Sequence, residues 1–294
     1  MTVLGFLNIN KPPGITSHDV VARLRRGLKI KKIGHAGTLD PMATGVLVIC
    51  VGAATRLSEY VMHTTKTYHA RIKLGVMTDT YDAEGAVIAE QDATHISEAD
   101  VMRVLAGFVG EIEQLPPMYS AIKHKGKKLY ELAREGQTIE REPRRITIEL
   151  LDVLDWSLPE FTLKITCGAG TYIRSLAHDI GELLGVGAHL TGLTRSASGS
   201  FKLDEAVELE AVIEAGDWRK YLISPAQALT HMPAVHFDSE AIVDLLHGRS
   251  VADHQAQFGM LAQAYGPGKQ FVAIIEGDGE RWHPRKVFNA GVEQ

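Results

Sequence analysis

One acid stands out by its surroundings. Asp40 lies in a turn of small residues within GHAGTLDPMATGVL, positions 34–47. Gly34, Gly37, Ala43 and Gly45 leave space for another backbone or a flat ligand, and Pro41 fixes the chain directly after the carboxylate. An acid presented in this way can act as a nucleophile or a base. The competing reading is an Asx-turn or helix cap that uses the carboxylate on nearby backbone, and for an Asp-Pro taken alone that reading is favoured. A glycoside hydrolase needs a second carboxylate, yet the nearest acids, Asp19 and Glu59, share no motif with Asp40. A nucleotide-binding enzyme would carry a Walker or dinucleotide fingerprint. Gly266-Pro267-Gly268-Lys269 lacks that spacing.

Cations lead into this turn. Residues 21–32 hold Arg23, Arg25, Arg26, Lys29, Lys31 and Lys32 without an acid. A second acid-free run carries Lys123, Lys125, Lys127 and Lys128, and Arg141, Arg144 and Arg145 follow. The formal net charge is nevertheless −5. Acids concentrate in residues 204–217, which hold Asp204, Glu205, Glu208, Glu210, Glu214 and Asp217 and no base, so the negative total is expected on a surface remote from the ligand. Each basic run alone reads as a solvated face, whereas two runs flanking a candidate site suggest phosphate contacts. A pure RNA-binding or RNA-folding protein would explain the cations equally well. It would not explain an anion placed between them, because that charge weakens phosphate binding.

Residues 4–9 read as a strand broken by Lys11-Pro12-Pro13-Gly14. Ser17 is expected to cap a helix with Val20, Val21, Leu24 and Leu28 on one face and the cations on the other. Residues 45–52 read as a buried strand, with a short helix after it at Leu57, Tyr60 and Val61. Residues 66–75 alternate, with Tyr68, Ala70, Ile72 and Leu74 against His69, Arg71 and Lys73. Ser97 and Asp100 form a capping box before Val101, Val104, Leu105 and Phe108. Residues 146–154 and 161–168 predict a strand pair, and Thr171 opens a helix with Ile173, Leu176, Ala177, Ile180, Leu183 and Leu184 inward. Arg174 stands in that helix's first turn, where the dipole disfavours a cation. An internal carboxylate partner and a phosphate contact account for it equally well from spacing alone. A strand end and helix at 236–248, then a hairpin around Gly277-Asp278-Gly279, predict a small β-rich tail. Strands mixed with helices without regular alternation indicate an α+β fold.

The ordered blocks NKPPGITS (10–17), GHAGTLDPMATGVL (34–47), KTYHARIKLG (66–75), PPMYSAIKHKGKKLYELAREG (116–136), GTYIRSLAHDIG (170–181) and GAHLTGLTR (187–195) resemble the TruB family of bacterial tRNA pseudouridine-55 synthases. The resemblance implies a mixed, mainly antiparallel central sheet flanked by helices over residues 1–230, and a PUA-like RNA-binding domain over 231–294. It further implies isomerisation of uridine-55 in the tRNA T loop by base flipping, without cofactor or metal. Asp40 is then the catalytic acid, with Arg174 paired to it. Tyr68 packs on the flipped base, His35 fills the vacated space or touches the displaced strand, and Tyr172 and Leu193 line the uracil pocket. Lys11 braces the loop rather than catalysing. An insertion over about 112–145 closes on the T loop. The basic runs themselves offer Arg23, Arg26, Lys29, Lys31, Lys32, Lys123, Lys125, Lys127, Lys128, Arg141, Arg144 and Arg145 as candidate RNA contacts.

Length and composition agree with such a protein. The chain has 294 residues, 45% of them hydrophobic, which suits one large domain and a small one. No apolar run is long enough to span a bilayer, and the start has neither a basic leader nor a small-residue cleavage site, so a cytoplasmic location is expected. Cys50 and Cys167 fall in apolar runs, as buried hydrophobes rather than a disulfide or metal site. The absence of a long exposed apolar stripe leads to the expectation of a monomer that needs no protein partner.

Overall fold

The alternation at 66–75 becomes the strand Lys66–Leu74, with Tyr68, Ala70, Ile72 and Leu74 buried and His69 and Arg71 exposed. The structure, a computed structural model, describes residues 2–120, 122–124, 126–288 and 292–293; Lys125 lies outside the described residues, as does the side chain of Lys123. The chain packs as two units, one of residues 1–41, 45–62 and 198–294, the other of 42–44 and 63–197.

In the second unit, strands follow the order Ala188–Ser198, Lys66–Leu74, Glu160–Cys167, Arg144–Ser157, Gly110–Gln114. The last four pair antiparallel, with Tyr68 opposite Ile165 and Lys66 opposite Cys167. The helices Glu98–Leu105 and Ile173–Leu183 belong to this unit. The Ser97–Asp100 capping box forms as expected. The second helix begins at Ile173 with Tyr172 as N-cap, not at Thr171, because Gln114 receives the Tyr172 N–H at 2.8 Å and donates to its carbonyl at 3.0 Å. Ile173, Leu176, Ala177 and Ile180 are buried, but Leu183 is 67% exposed: the helix ends there and its last turn swings off the core-facing stripe.

In the first unit, Thr2–Lys11 runs antiparallel to Thr44–Gly52 and parallel to Val207–Glu208, and Ile33–His35 adds to Thr44–Gly52. The helix Ser17–Gly27 is capped by Thr16, whose hydroxyl accepts the Asp19 N–H at 3.0 Å. The expected cap, Ser17, is used elsewhere. A five-stranded sheet, ordered Ala234–His236, Leu261–Tyr265, Phe271–Gly277, Arg281–Val287, Val251–Ala252, makes the β-rich tail and contains the predicted hairpin. It has its own core around Trp282, Ile275 and Leu245. A second core joins Tyr265, Phe271 and Phe288 of this tail to Leu4, Phe6, Val46 and Val48.

The acidic segment is not remote from the cations. The helix Leu209–Ile213 packs on Ser17–Gly27 so closely that a Cβ on Gly27 would meet Ile213 at 2.7 Å, and Glu210 pairs with Arg23 at 3.2 Å. The apolar contact sits between the two helices, and the Arg23–Glu210 pair lies on their exposed surface, where an ion pair contributes little.

Gly52 sets the register where Thr44–Gly52 ends. Its φ is +62°, and a Cβ there would lie 2.0 Å from the carbonyl oxygen of Val3. Gly52→Ala is expected to destabilise the fold by roughly 3 kcal/mol or more, summing left-handed strain and overpacking. Urea unfolding measures this as a lower midpoint at unchanged slope.

Candidate active site

The loop carrying Asp40 is fixed on both sides of the acid. Before it, the Ser17 hydroxyl accepts the Leu39 N–H at 2.8 Å and donates to the Leu39 carbonyl at 3.0 Å. After it, the Lys11 ammonium donates to Pro41 O at 3.1 Å and to Pro12 O at 2.8 Å, and Gly14 N–H donates to Pro41 O at 2.9 Å. Lys11 is fully buried, which rules out solvent chemistry for its amine and fits the bracing role. Leu39 and Ala43 are buried, while Asp40 is half-buried and thus reachable. A carboxylate between two immobilised neighbours loses little further freedom when a ligand arrives.

Lys11→Met removes the donor and keeps the volume. Two carbonyls then lose their ammonium partner, a cost of about 1–3 kcal/mol. Thermal unfolding should show a lower midpoint together with reduced turnover.

Arg174, in the other unit, is a buried cation, 5% exposed. It pairs with Asp82 at 3.5 Å and donates to Tyr119 O at 2.8 Å and Thr80 O at 3.4 Å. A carboxylate and two carbonyls thus answer the unfavourable helix-dipole position, and the partner in this set is Asp82, which the sequence did not single out. Asp82 is itself buried, accepting from the Thr80 hydroxyl at 2.6 Å and Glu84 N–H at 3.1 Å. The only sequence signal for it was an acid in the turn-like DTYDAEG, which reads as a solvated loop.

Tyr68 is 9% exposed on its strand. Leu193 is buried on Ala188–Ser198, where Thr44 meets the Thr194 hydroxyl at 2.9 Å and the Leu193 carbonyl at 3.5 Å. Tyr172, half-buried, is locked by Gln114, a second residue that the sequence did not single out. His35 is half-buried at the end of Ile33–His35, opposite Ile49. Asp40 and His35 belong to one packing unit, and Tyr68, Tyr172, Arg174 and Leu193 to the other.

Among the basic candidates, Arg23, Arg26, Lys29, Lys31 and Lys32 are all exposed. Lys127 pairs with Glu135 at 3.3 Å, and Arg145 with Glu111 at 3.6 Å. Lys128 sits over the Tyr130 ring at 5.3 Å. Arg141 donates to Pro116 O at 2.8 Å, so it ties the 116–136 segment to its own base. Arg144 is exposed at the start of Arg144–Ser157. Met118 and Tyr119 are half-buried, and Arg174 holds the Tyr119 carbonyl. The segment Leu129–Arg134 forms a short helix.

Burial shapes the remaining titratable groups. It pushes the Cys50 thiol up to about 12 and the Cys167 thiol up to about 11, so both stay protonated and unreactive. Burial also draws the Lys66 ammonium down to about 8, with the Arg195 guanidinium adding to the effect. Among the described residues, no group of His, Cys, Asp or Glu has metal-binding geometry. No described helix is long and apolar enough to cross a membrane.

Comparison with known proteins gives this arrangement its class. Residues 25–173 match the TruB family pseudouridylate synthase (N terminal domain), and residues 174–232 match the tRNA pseudouridylate synthase B C-terminal domain. The tRNA pseudouridine synthase B of Symbiobacterium thermophilum is 52% identical over 247 residues, covering 83% of this chain and 82% of the relative. That of Microcystis aeruginosa is 47% identical, covering 93% and 94%. Among solved structures, a Cbf5-Nop10-Gar1 complex aligns with TM-score 0.75 and 29% identity over 99% of this chain and 84% of the other. An H/ACA RNP bound to a substrate RNA containing 2'-deoxyuridine aligns with TM-score 0.75 and 26% identity over 97% and 85%. The fold is that of a pseudouridine synthase, an isomerase of RNA uridines. The chain belongs to the TruB family, and its activity is the pseudouridylation of tRNA.

Proposed function

We propose that the enzyme isomerises uridine-55 of the tRNA T loop, with Asp40 as the catalytic carboxylate and Arg174 beside it. The supporting observation is the immobilised, half-buried Asp40, held through Leu39 by Ser17 and through Pro41 by Lys11. The reaction breaks N1–C1′, turns the uracil and joins C5 to C1′; the proton leaves C5 and N1 gains one, so no redox partner is needed. An ionised Asp40 can attack C1′, add to the ring, or take the C2′ proton, and each path needs a charged oxygen. A guanidinium within a few ångströms favours that charge against burial.

The nucleotide must leave its stack first, at a cost of about a few kcal/mol. Tyr68 repays part of this by packing on the base, His35 fills the vacated space, and Tyr172 and Leu193 bound the uracil. The exposed cations of residues 23–32, the segment over about 112–145 with Lys123, Lys125, Lys127, Lys128, Arg141, Arg144 and Arg145, and a PUA-like tail over 231–294 grip the RNA by shape and phosphate. The catalytic part spans 1–230. The enzyme works as a cytoplasmic monomer.

Incubation with full-length unmodified tRNA tests the assignment. One pseudouridine per molecule is expected, and none when cytidine replaces uridine-55. Equal product from both RNAs would refute the position.

A further inference from the structure

The turn at residues 79–85 grips one helix twice. Its Asp82 carboxylate meets Arg174 at 3.5 Å, and its Tyr81 ring lies flat on the His178 imidazole, with centroids 4.0 Å apart and planes 9° from parallel. Arg174 and His178 are one helical turn apart on Ile173–Leu183 and share a face. Neighbouring residues of the turn therefore hold successive turns of the helix.

The backbone is shaped to allow this. Tyr81 has φ +66°, a left-handed conformation that is rare for a bulky residue. Consecutive side chains of an extended chain point to opposite sides, whereas this twist lets both Tyr81 and Asp82 reach the helix. The turn is anchored from behind by the strand that carries Leu193: Leu190 N–H donates to Tyr81 O at 3.0 Å, and Ala83 N–H donates to Leu190 O at 2.9 Å. Thr78 donates to Asp82 O at 2.7 Å. His178 Nδ1 is buried without a hydrogen-bond partner among the described residues, so no bond at that nitrogen competes with the ring stack in orienting it. Burial, aided by the Arg141 guanidinium against Glu182, holds the imidazole below its ordinary value, which favours a neutral ring for stacking.

We propose that the Tyr81–His178 stack is a positioning clamp that sets the turn so that Asp82 holds the Arg174 guanidinium in the orientation the reaction requires. Both are positioning residues, and the inference rests on the reading that Arg174 serves Asp40. Strain at a bulky left-handed residue is kept only where the surroundings over-determine it, as these contacts do.

Single-turnover conversion of a T stem-loop at saturating enzyme tests the clamp, with RNA affinity from filter binding. Removing either ring, by His178→Ala or Tyr81→Asn, is expected to slow the rate constant by about tenfold with affinity changed by less than about twofold, because misplacement acts on the chemical step. His178→Phe keeps a stacking ring and should return the rate constant to within about twofold of the unaltered enzyme. Asn tolerates the left-handed backbone, so Tyr81→Asn reads the clamp even where His178→Ala folds poorly. Three results would overturn the clamp: unaltered rate constants without the rings, a loss confined to reaction amplitude and melting temperature, or no rescue by Phe. Arg174→Lys separates the two ideas. If it turns over normally, the reading of Arg174 fails; if it is slow while the ring variants are not, only the clamp fails.

Discussion

Asp40→Asn is expected to abolish pseudouridine formation, lowering the single-turnover rate by about 10,000-fold or more, while tRNA affinity stays within about threefold. The side chains are nearly the same size, so the loop held by Ser17 and Lys11 keeps its shape. What is lost is the anionic oxygen. Under the proposed function RNA phosphates approach this site, and removing an anion there weakens nothing electrostatically, so binding is expected to hold or tighten slightly. Filter binding and carbodiimide labelling of the same samples separate the two quantities. A variant with both activity and binding reduced together would show that Asp40 builds the loop rather than performs the chemistry.

Arg174→Lys carries the next largest effect, a fall in turnover of about 100-fold or more with little change in affinity. The guanidinium reaches Asp82, Thr80 O and Tyr119 O at once from a buried position. An ammonium is a point charge on a flexible stem without the planar fork and cannot hold that fan of contacts. Asp82 then becomes a buried carboxylate with a poorer partner, which is expected to destabilise the protein by about 3 kcal/mol. Single-turnover kinetics and thermal unfolding check the two parts. Equal losses of affinity and turnover would identify a phosphate contact instead.

The periodic parts of the fold were legible in the chain. Lys66–Leu74 alternates because one sheet face is buried, and the Ser97–Asp100 box announces its helix by local hydrogen bonds. The tail hairpin was equally visible from its glycine-rich turn. The motif that singled out Asp40 was readable because small residues and a proline crowd one acid. Contacts between distant segments were not. Ser17 looks like a cap, but its hydroxyl is engaged by Leu39, which leaves the cap to Thr16. Asp82 looks like a solvated turn acid until the fold places it against Arg174. Gln114 gives no signal as an edge-strand residue, yet it holds both backbone groups of Tyr172. Even the surface charges depended on packing, since the acids near Glu210 lie beside the basic helix that they were expected to avoid.

Carbodiimide labelling of a minimal T stem-loop after incubation with the unaltered enzyme tests the substrate, the position and the reaction together. A single labelled site at position 55, formed without added cofactor, is the predicted result. An unlabelled loop at high enzyme concentration, or label at another uridine, would contradict the account.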